Sequence, residues 1–242
     1  MAKTFLQLVQ NAIDEIGSIT TPSFIIGNTD QNAKQILALS NREAQEFSRL
    51  ADSFGGWQAL RKDYTFPLVN TVETYALPSD YRFMLPNTIW QTAFRWQLLG
   101  PLSRQEWNVL EYGLTPAGPR MRFMIENNLI YINPTPSSTL LGNVAYAYIS
   151  NGITRSAANV VQTEWLADTD TYVLDEQSFI LGLKWRFLAA KKLDYVQEKL
   201  SYDQHVQQAL ARNAGSTILP LNANNTRRFL DTNNIPDTGF GT

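Results

Sequence analysis

The chain has 242 residues, 44% of them hydrophobic and 17% charged, with a formal net charge of −2. That is enough chain for a real core, in one large domain or one domain with an insert, and the charge balance argues against a general nucleic-acid binder, which is usually basic. There is no cysteine and a single histidine, His205, which excludes disulfides, thiolate zinc sites, cysteine nucleophiles and any multi-histidine metal site.

The N-terminus has no long apolar core and no cleavage signal, and reads as a structural helix of a protein made in the cytoplasm. Phe5, Leu8, Val9, Ala12, Ile13 and Ile16 recur in steps of three and one, the face of an amphipathic helix. Thr4 stands at its start and Gly17 at its end. A second helix is expected from about Asp30, its cap, to Asp52. Ile36, Leu37, Leu39, Ala44, Phe47, Leu50 and Ala51 supply its apolar face, and Gly55 and Gly56 end it.

Character then changes. Six tryptophans, ten tyrosines and twelve phenylalanines suit strands and interfaces, and from Trp57 onward strand patterns follow one another. Asp63 to Val69, Tyr81 to Trp90, Ala93 to Leu99 and Asn143 to Ser150 read as strands. Met121 to Ile125 and Leu129 to Asn133 form a hairpin about the Asn127-Asn128 turn. Ser103 with Glu106 forms a capping box that opens a short helix.

From Asp175 to Arg212 the chain runs without proline, and Asp175 suits a helix cap. Phe179, Leu183, Phe187, Ala190, Leu193, Val196 and Leu200 line one face. A single helix here would be about 57 Å long, with a break conceivable at Asp203 and Gln204. Between Phe179 and Ala190 apolar residues occur all round, so this half belongs at the centre of a core or at a subunit interface. It is too short and too charged to cross a bilayer. The later half reads as an amphipathic surface helix.

The expected fold is therefore α+β: an antiparallel helical bundle formed by the N- and C-terminal helices, an inserted antiparallel β-domain and an extended C-terminal arm. Residues 1–61 and 174–215 make the bundle, 62–173 the β insert and 216–242 the arm. A terminus this polar usually stays extended. Its spaced apolar pairs, and Arg227 and Arg228 beside Phe229, favour docking on a partner.

Chemistry is hard to find. His205 has no nucleophile motif beside it. Asp168, Asp170, Asp175 and Glu176 cluster as paired carboxylates of a glycosidase would. They read equally as a loop turn and a negatively charged helix start. They do not complete a calcium loop, and there is no Gly-rich phosphate loop. No cofactor and no metal are expected. Lys184, Arg186, Lys191, Lys192 and Lys199 form a basic group whose default reading is a solvated helix face.

Several stretches carry a resemblance when taken in order. They are Leu8-Val-Gln-Asn-Ala-Ile-Asp-Glu-Ile-Gly17, Gln35-Ile-Leu-Ala-Leu-Ser-Asn41, Gly56-Trp57-Gln-Ala-Leu60 and Tyr75-Ala-Leu-Pro-Ser-Asp80. Then come Gly100-Pro-Leu-Ser-Arg-Gln-Glu-Trp107, Ile130-Tyr-Ile-Asn-Pro-Thr-Pro136, Trp165-Leu-Ala-Asp-Thr-Asp170, Gly182-Leu-Lys-Trp-Arg186 and Ile235-Pro-Asp-Thr-Gly-Phe240. In this order, around a β insert, they resemble the head-to-tail adaptors of short-tailed bacteriophages, the tail tubular protein A type and related head-completion proteins.

The resemblance implies a non-enzymatic virion protein at the head–tail junction, in a dodecameric ring between portal and tail nozzle, with genomic DNA passing through the channel. On it, Arg227, Arg228, Phe229, Leu230, Ile235 and Phe240 are expected to bind the portal, and Trp185 and Arg186, with the first helix, to make ring contacts. Two other readings compete: a tail-associated polysaccharide hydrolase using Asp168, Asp170 and Glu176, and a DNA-binding module using Lys184 to Lys199.

Overall fold

The computed structural model describes residues 2–17, 20–113 and 120–213. It is mixed α and β. Among the described residues there are five α-helices and three antiparallel sheets.

Helix α1 spans Phe5–Ile16, with Thr4 and Gln7 in a reciprocal capping box and Gly17 as left-handed stop. Helix α2 spans Gln31–Arg49, and the Asp30 carboxylate accepts from the N–H groups of Asn32 and Ala33. Its buried line includes Ser40 and Glu43 as well as Ala33, Ile36, Ala44 and Phe47. Leu50, expected on the apolar face, is 40% exposed. Helix α3 is Arg104–Tyr112, opened by the Ser103–Glu106 box.

The expected long C-terminal helix is two helices, α4 at Glu176–Ala190 and α5 at Val196–Asn213. The break falls at Lys191–Tyr195, not at Asp203 and Gln204. Lys192 takes a left-handed φ of 59°. The Leu193 N–H bonds the Leu188 carbonyl and the Lys192 N–H the Ala189 carbonyl, the Schellman pattern. Asp194 then accepts from the Val196 N–H. The chain folds back, so Asp175 pairs with His205 and Lys184 with Glu198, and α4 and α5 form an antiparallel hairpin.

Helix α4 packs against α1, α2 and α5, which explains why it is apolar on so many sides. Contacts of α4 with α2 run antiparallel, from Lys191 at Asn32 to Arg186 at Glu43 and Glu46. Those with α1 run parallel, from Glu176 at Lys3 to Lys184 at Glu15. The helices are thus not a uniformly antiparallel bundle.

Strand β1 (Arg61–Pro67), β2 (Thr74–Ala76), β3 (Tyr81–Met84), β4 (Trp90–Gln91) and β5 (Trp96–Gln97) begin the β part. The expected strands at Tyr81 to Trp90 and Ala93 to Leu99 are shorter. A loop at Leu85–Ile89 and a tight turn at Thr92–Arg95, with Arg95 at φ 55°, take the remaining residues. Then come β6 (Arg122–Glu126) and β7 (Leu129–Asn133), joined by Asn127 and Asn128 at φ 50° and 59°. Two successive left-handed residues match the twist of a hairpin.

Strand β8 (Asn143–Ser150) is the centre of the largest sheet, with β1 on one side and β3 and β4 on the other; β5 extends β4. A second sheet has the order β2-β7-β6, and a third is built from β9 (Thr154–Arg155), β10 (Val161–Gln162) and β11 (Thr171–Tyr172).

The period of two along β8 feeds two cores. Val144, Tyr146 and Tyr148 join Phe66, Phe123, Ile130 and Ile132 in the β core, while Ile149 joins the helical core with Phe47, Trp57 and Phe179. Arg82 on β3 ties the two parts together, bonding Asp52 at 2.5 Å and the Ser48 carbonyl at 3.2 Å.

Asp80 stitches the sheet ends. Its carboxylate accepts from Lys62 (2.5 Å), Ser150 (2.8 Å) and the Tyr148 hydroxyl (2.8 Å). Burial works against its charge, but these three donors hold its pKa below the ordinary 3.8. A depressed folded pKa means the stabilisation is complete above the unfolded value and is lost as pH falls through the folded one. Asp80→Asn is therefore expected to lower the urea midpoint at neutral pH and to flatten its fall below roughly pH 4; a variant with an unchanged acid limb would contradict the assignment.

Candidate functional site

The sequence offered two kinds of site, a carboxylate cluster and a set of contact surfaces. The geometry separates them.

The Trp165–Asp170 segment is a structural clamp. The Asp168 carboxylate accepts from the N–H groups of Ile25 and Ile26 at 3.0–3.2 Å, and its carbonyl accepts from Leu6. The buried Asp170 accepts from Leu166 and Ala167, both at 2.9 Å, and its carbonyl from Phe5. Glu176 accepts from the Lys3 N–H at 2.8 Å. Each carboxylate expected to hydrolyse thus accepts from main-chain N–H groups, Asp168 and Glu176 from the N-terminal segment and Asp170, through one oxygen, from its own loop. Asp175 caps α4, its Oδ2 accepting from the Ser178 N–H, and the same oxygen meets His205 Nε2 at 2.8 Å. No group of His, Asp or Glu able to hold a metal occurs among the described residues, and none of their helices is long and apolar enough to cross a membrane.

Trp165 anchors the clamp. It stacks on Phe5 at 4.4 Å between ring centroids and meets Phe179 edge-on at 5.4 Å. Its main-chain N–H donates to the Asn41 side chain. One residue therefore joins α1, α2 and α4.

The basic group is divided. Lys184 sits between Glu15 and Glu198 at 3.1 and 3.0 Å. Arg186, expected at a ring interface, is turned into the subunit, with its side chain 8% exposed. It bonds the fully buried Glu43 and reaches Glu46 at 2.7 Å. Burial pushes the Glu43 carboxyl above its ordinary range, and Arg186 opposes that. Burial also works against the Arg186 charge, yet the two carboxylates raise its pKa and hold the charge in place. Gly182 makes room for this pair: a Cβ there would lie 2.1 Å from the Glu43 Oε1.

Only Lys191, Lys192 and Lys199 remain toward solvent, near the turn of the hairpin. Lys191 bonds the Asn32 side chain at 3.0 Å, and Lys199 lies 5.8 Å from the Trp185 ring centre. Trp185 is half-buried, flanked by Tyr195 and Tyr202.

The turn itself is apolar on the outside. Leu193 (47%), Val196 (69%) and Leu200 (50%) are exposed, with Tyr195 beside them. The sequence reading put Leu193, Val196 and Leu200 on the apolar line of one helix face; the reversal at Lys192 leaves them at the surface. Glu43 was missed as the partner of Arg186. Its position on the Ile36, Ser40, Ala44, Phe47 face of α2 was the available signal, because a buried carboxylate requires a buried cation.

Arg227, Arg228, Phe229, Leu230, Ile235 and Phe240 lie outside the described residues. No curated protein matches the chain. A family model described as SU10 adaptor protein matches residues 3–229, nearly the whole length and up to Phe229 of the expected arm. The chain therefore belongs to the SU10 adaptor protein family, a family of phage structural adaptors.

Proposed function

We propose that the protein is the adaptor that joins the portal to the tail nozzle, as one subunit of a dodecameric ring around the DNA ejection channel. The family match over 3–229 carries this reading. A virion location and partners among other virion proteins follow from the family. A closed ring needs two different complementary patches on each subunit. The turn of the α4–α5 hairpin, with Leu193, Val196 and Leu200 outward and Trp185 behind them, supplies one. Exposed apolar clusters of this kind mark contact surfaces. Arg186 supports that surface from within by holding α4 on α2.

The portal-binding segment is Arg227 to Phe240, with the two arginines bonding acceptors on the portal and Phe229, Leu230, Ile235 and Phe240 filling pockets. The acidic overall balance suits a conduit, since a channel must let DNA slide. Deleting residues 227–242 is expected to abolish co-sedimentation with assembled portal rings while the circular dichroism and unfolding midpoint stay unchanged. Undiminished portal binding by the shortened chain would overturn the assignment of the arm.

A further inference from the structure

One face of the largest sheet carries an apolar strip, Trp90 with Ala145 and Ala147, bordered by polar residues that include Asp63 and Thr88. The β1·β8 and β4·β8 registers, Asp63 with Ala147, Thr65 with Ala145 and Trp90 with Ala145, put these side chains on one side of the sheet. Together with Pro86 and Thr88, residues of this face line a groove of about 800 Å³. Two alanines form its floor, and Trp90, 42% exposed, forms its wall. An exposed tryptophan over two alanines is apolar surface of the kind that a contact covers.

The same face is covered at its other end. There Ile149 is fully buried in the helical core, and Gly56 presses so closely that a Cβ would stand 2.6 Å from the Ile149 Cγ1. Asn213, the last residue of α5, is pinned at this place by three hydrogen bonds. Its side chain donates to the Gly56 carbonyl (3.0 Å) and accepts from the Gln58 N–H (2.8 Å), and its carbonyl accepts from the Gln58 side chain (2.7 Å). The chain thus leaves the described body on the side of the sheet that bears the groove. From Ile149 to Ala145 is about 13 Å along the strand.

The segment that follows matches in reach and in character. Residues 214–226 contain no charged side chain, and their apolar cluster is Ile218, Leu219, Pro220 and Leu221. Five extended residues from Asn213 to Ile218 span up to about 17 Å. Tethering at this distance makes the local concentration of the segment high. Pro220 offers no N–H, which suits packing over a sheet face better than extension of a ladder.

We infer that Ile218 to Leu221 dock in the groove between Trp90 and Ala145 of their own subunit. This root of the arm fixes the direction in which Arg227 and the residues after it leave the body. The inference does not rest on the portal reading and concerns the free chain.

The absence of native cysteine allows a direct test. Thr65→Cys on the groove-bearing face and Asn222→Cys just beyond the docked segment leave floor, wall and anchors intact. A short bismaleimide should link them within one chain, identified by mass of the joined peptides. Trp90→Ala, or Ile218→Ser with Leu219→Ser, should each slow the link about tenfold, the loss expected when one large apolar contact is removed. Circular dichroism of each variant confirms the fold. A rate unaffected by these substitutions would mean a tethered but undocked segment. A link formed only between two chains would assign the groove to a neighbour's arm. Either result overturns the inference.

Discussion

Replacing Arg186 by alanine is expected to lower the unfolding free energy by about 3–5 kcal/mol, the usual consequence of removing one partner of a buried ion pair. Glu43 is fully buried on α2 and has Arg186 as its cationic partner. Without the guanidinium it must either stay charged in an apolar surrounding or take up a proton, and both are unfavourable. Glu46 also bonds Arg186 but is 46% exposed. Its removal should change stability by no more than about 1 kcal/mol, as for surface pairs. Denaturant midpoints of Arg186→Ala, Glu43→Gln and Arg186→Met combined with Glu43→Leu decide the matter. The two single variants should be much weaker than the combined one, because the combined one leaves no buried charge unpaired. If all three lose the same stability, packing and not charge pairing holds α4 on α2.

The second large effect is expected at Trp165. Truncation to alanine in a filled core costs about 3–5 kcal/mol, and the ring also loses its stack on Phe5 and its edge contact with Phe179. Those partners lie on α1 and α4, so the ring bridges two helices, while the main-chain N–H of residue 165, which the substitution leaves in place, keeps its bond to the Asn41 side chain on α2. The loss should therefore be cooperative, seen as a midpoint shift without a change of slope in chemical unfolding. Trp165→Phe retains an aromatic ring and should recover about half of it. An alanine variant within 1 kcal/mol of the parent on the order-of-magnitude scale of core truncations would contradict the role of the clamp.

Local signals were legible in the sequence where a short motif decides a local geometry. Thr4 and Gly17, Asp30, Ser103 with Glu106, and the Asn127-Asn128 hairpin all stand where their side-chain chemistry puts them. The central place of α4 was legible too, because an apolar residue on nearly every side leaves a helix no solvent face.

The reversal at Lys192 was not legible. It is a left-handed residue without glycine, which no local preference announces, and the apolar spacing runs through it undisturbed. What decides it is tertiary: α5 can bury Tyr202 and Val206 against α4 only by folding back. The same limit explains the carboxylates. Asp168 and Asp170 have the composition of a catalytic pair, and only the three-dimensional position of Ile25, Ile26, Leu166 and Ala167 shows that main-chain N–H groups bond both carboxylates, Asp170 through one oxygen. Arg186 shows it again, since a helix apolar all round does not say which neighbour will carry the answering charge.

The central claim is that this phage structural adaptor forms a ring on the portal. Electron microscopy of the purified chain mixed with assembled portal rings tests it most directly. The account predicts a second ring stacked coaxially on the portal, with the α4–α5 hairpin at the contact between neighbouring subunits. Intact portal rings and folded chain that remain separate would contradict it.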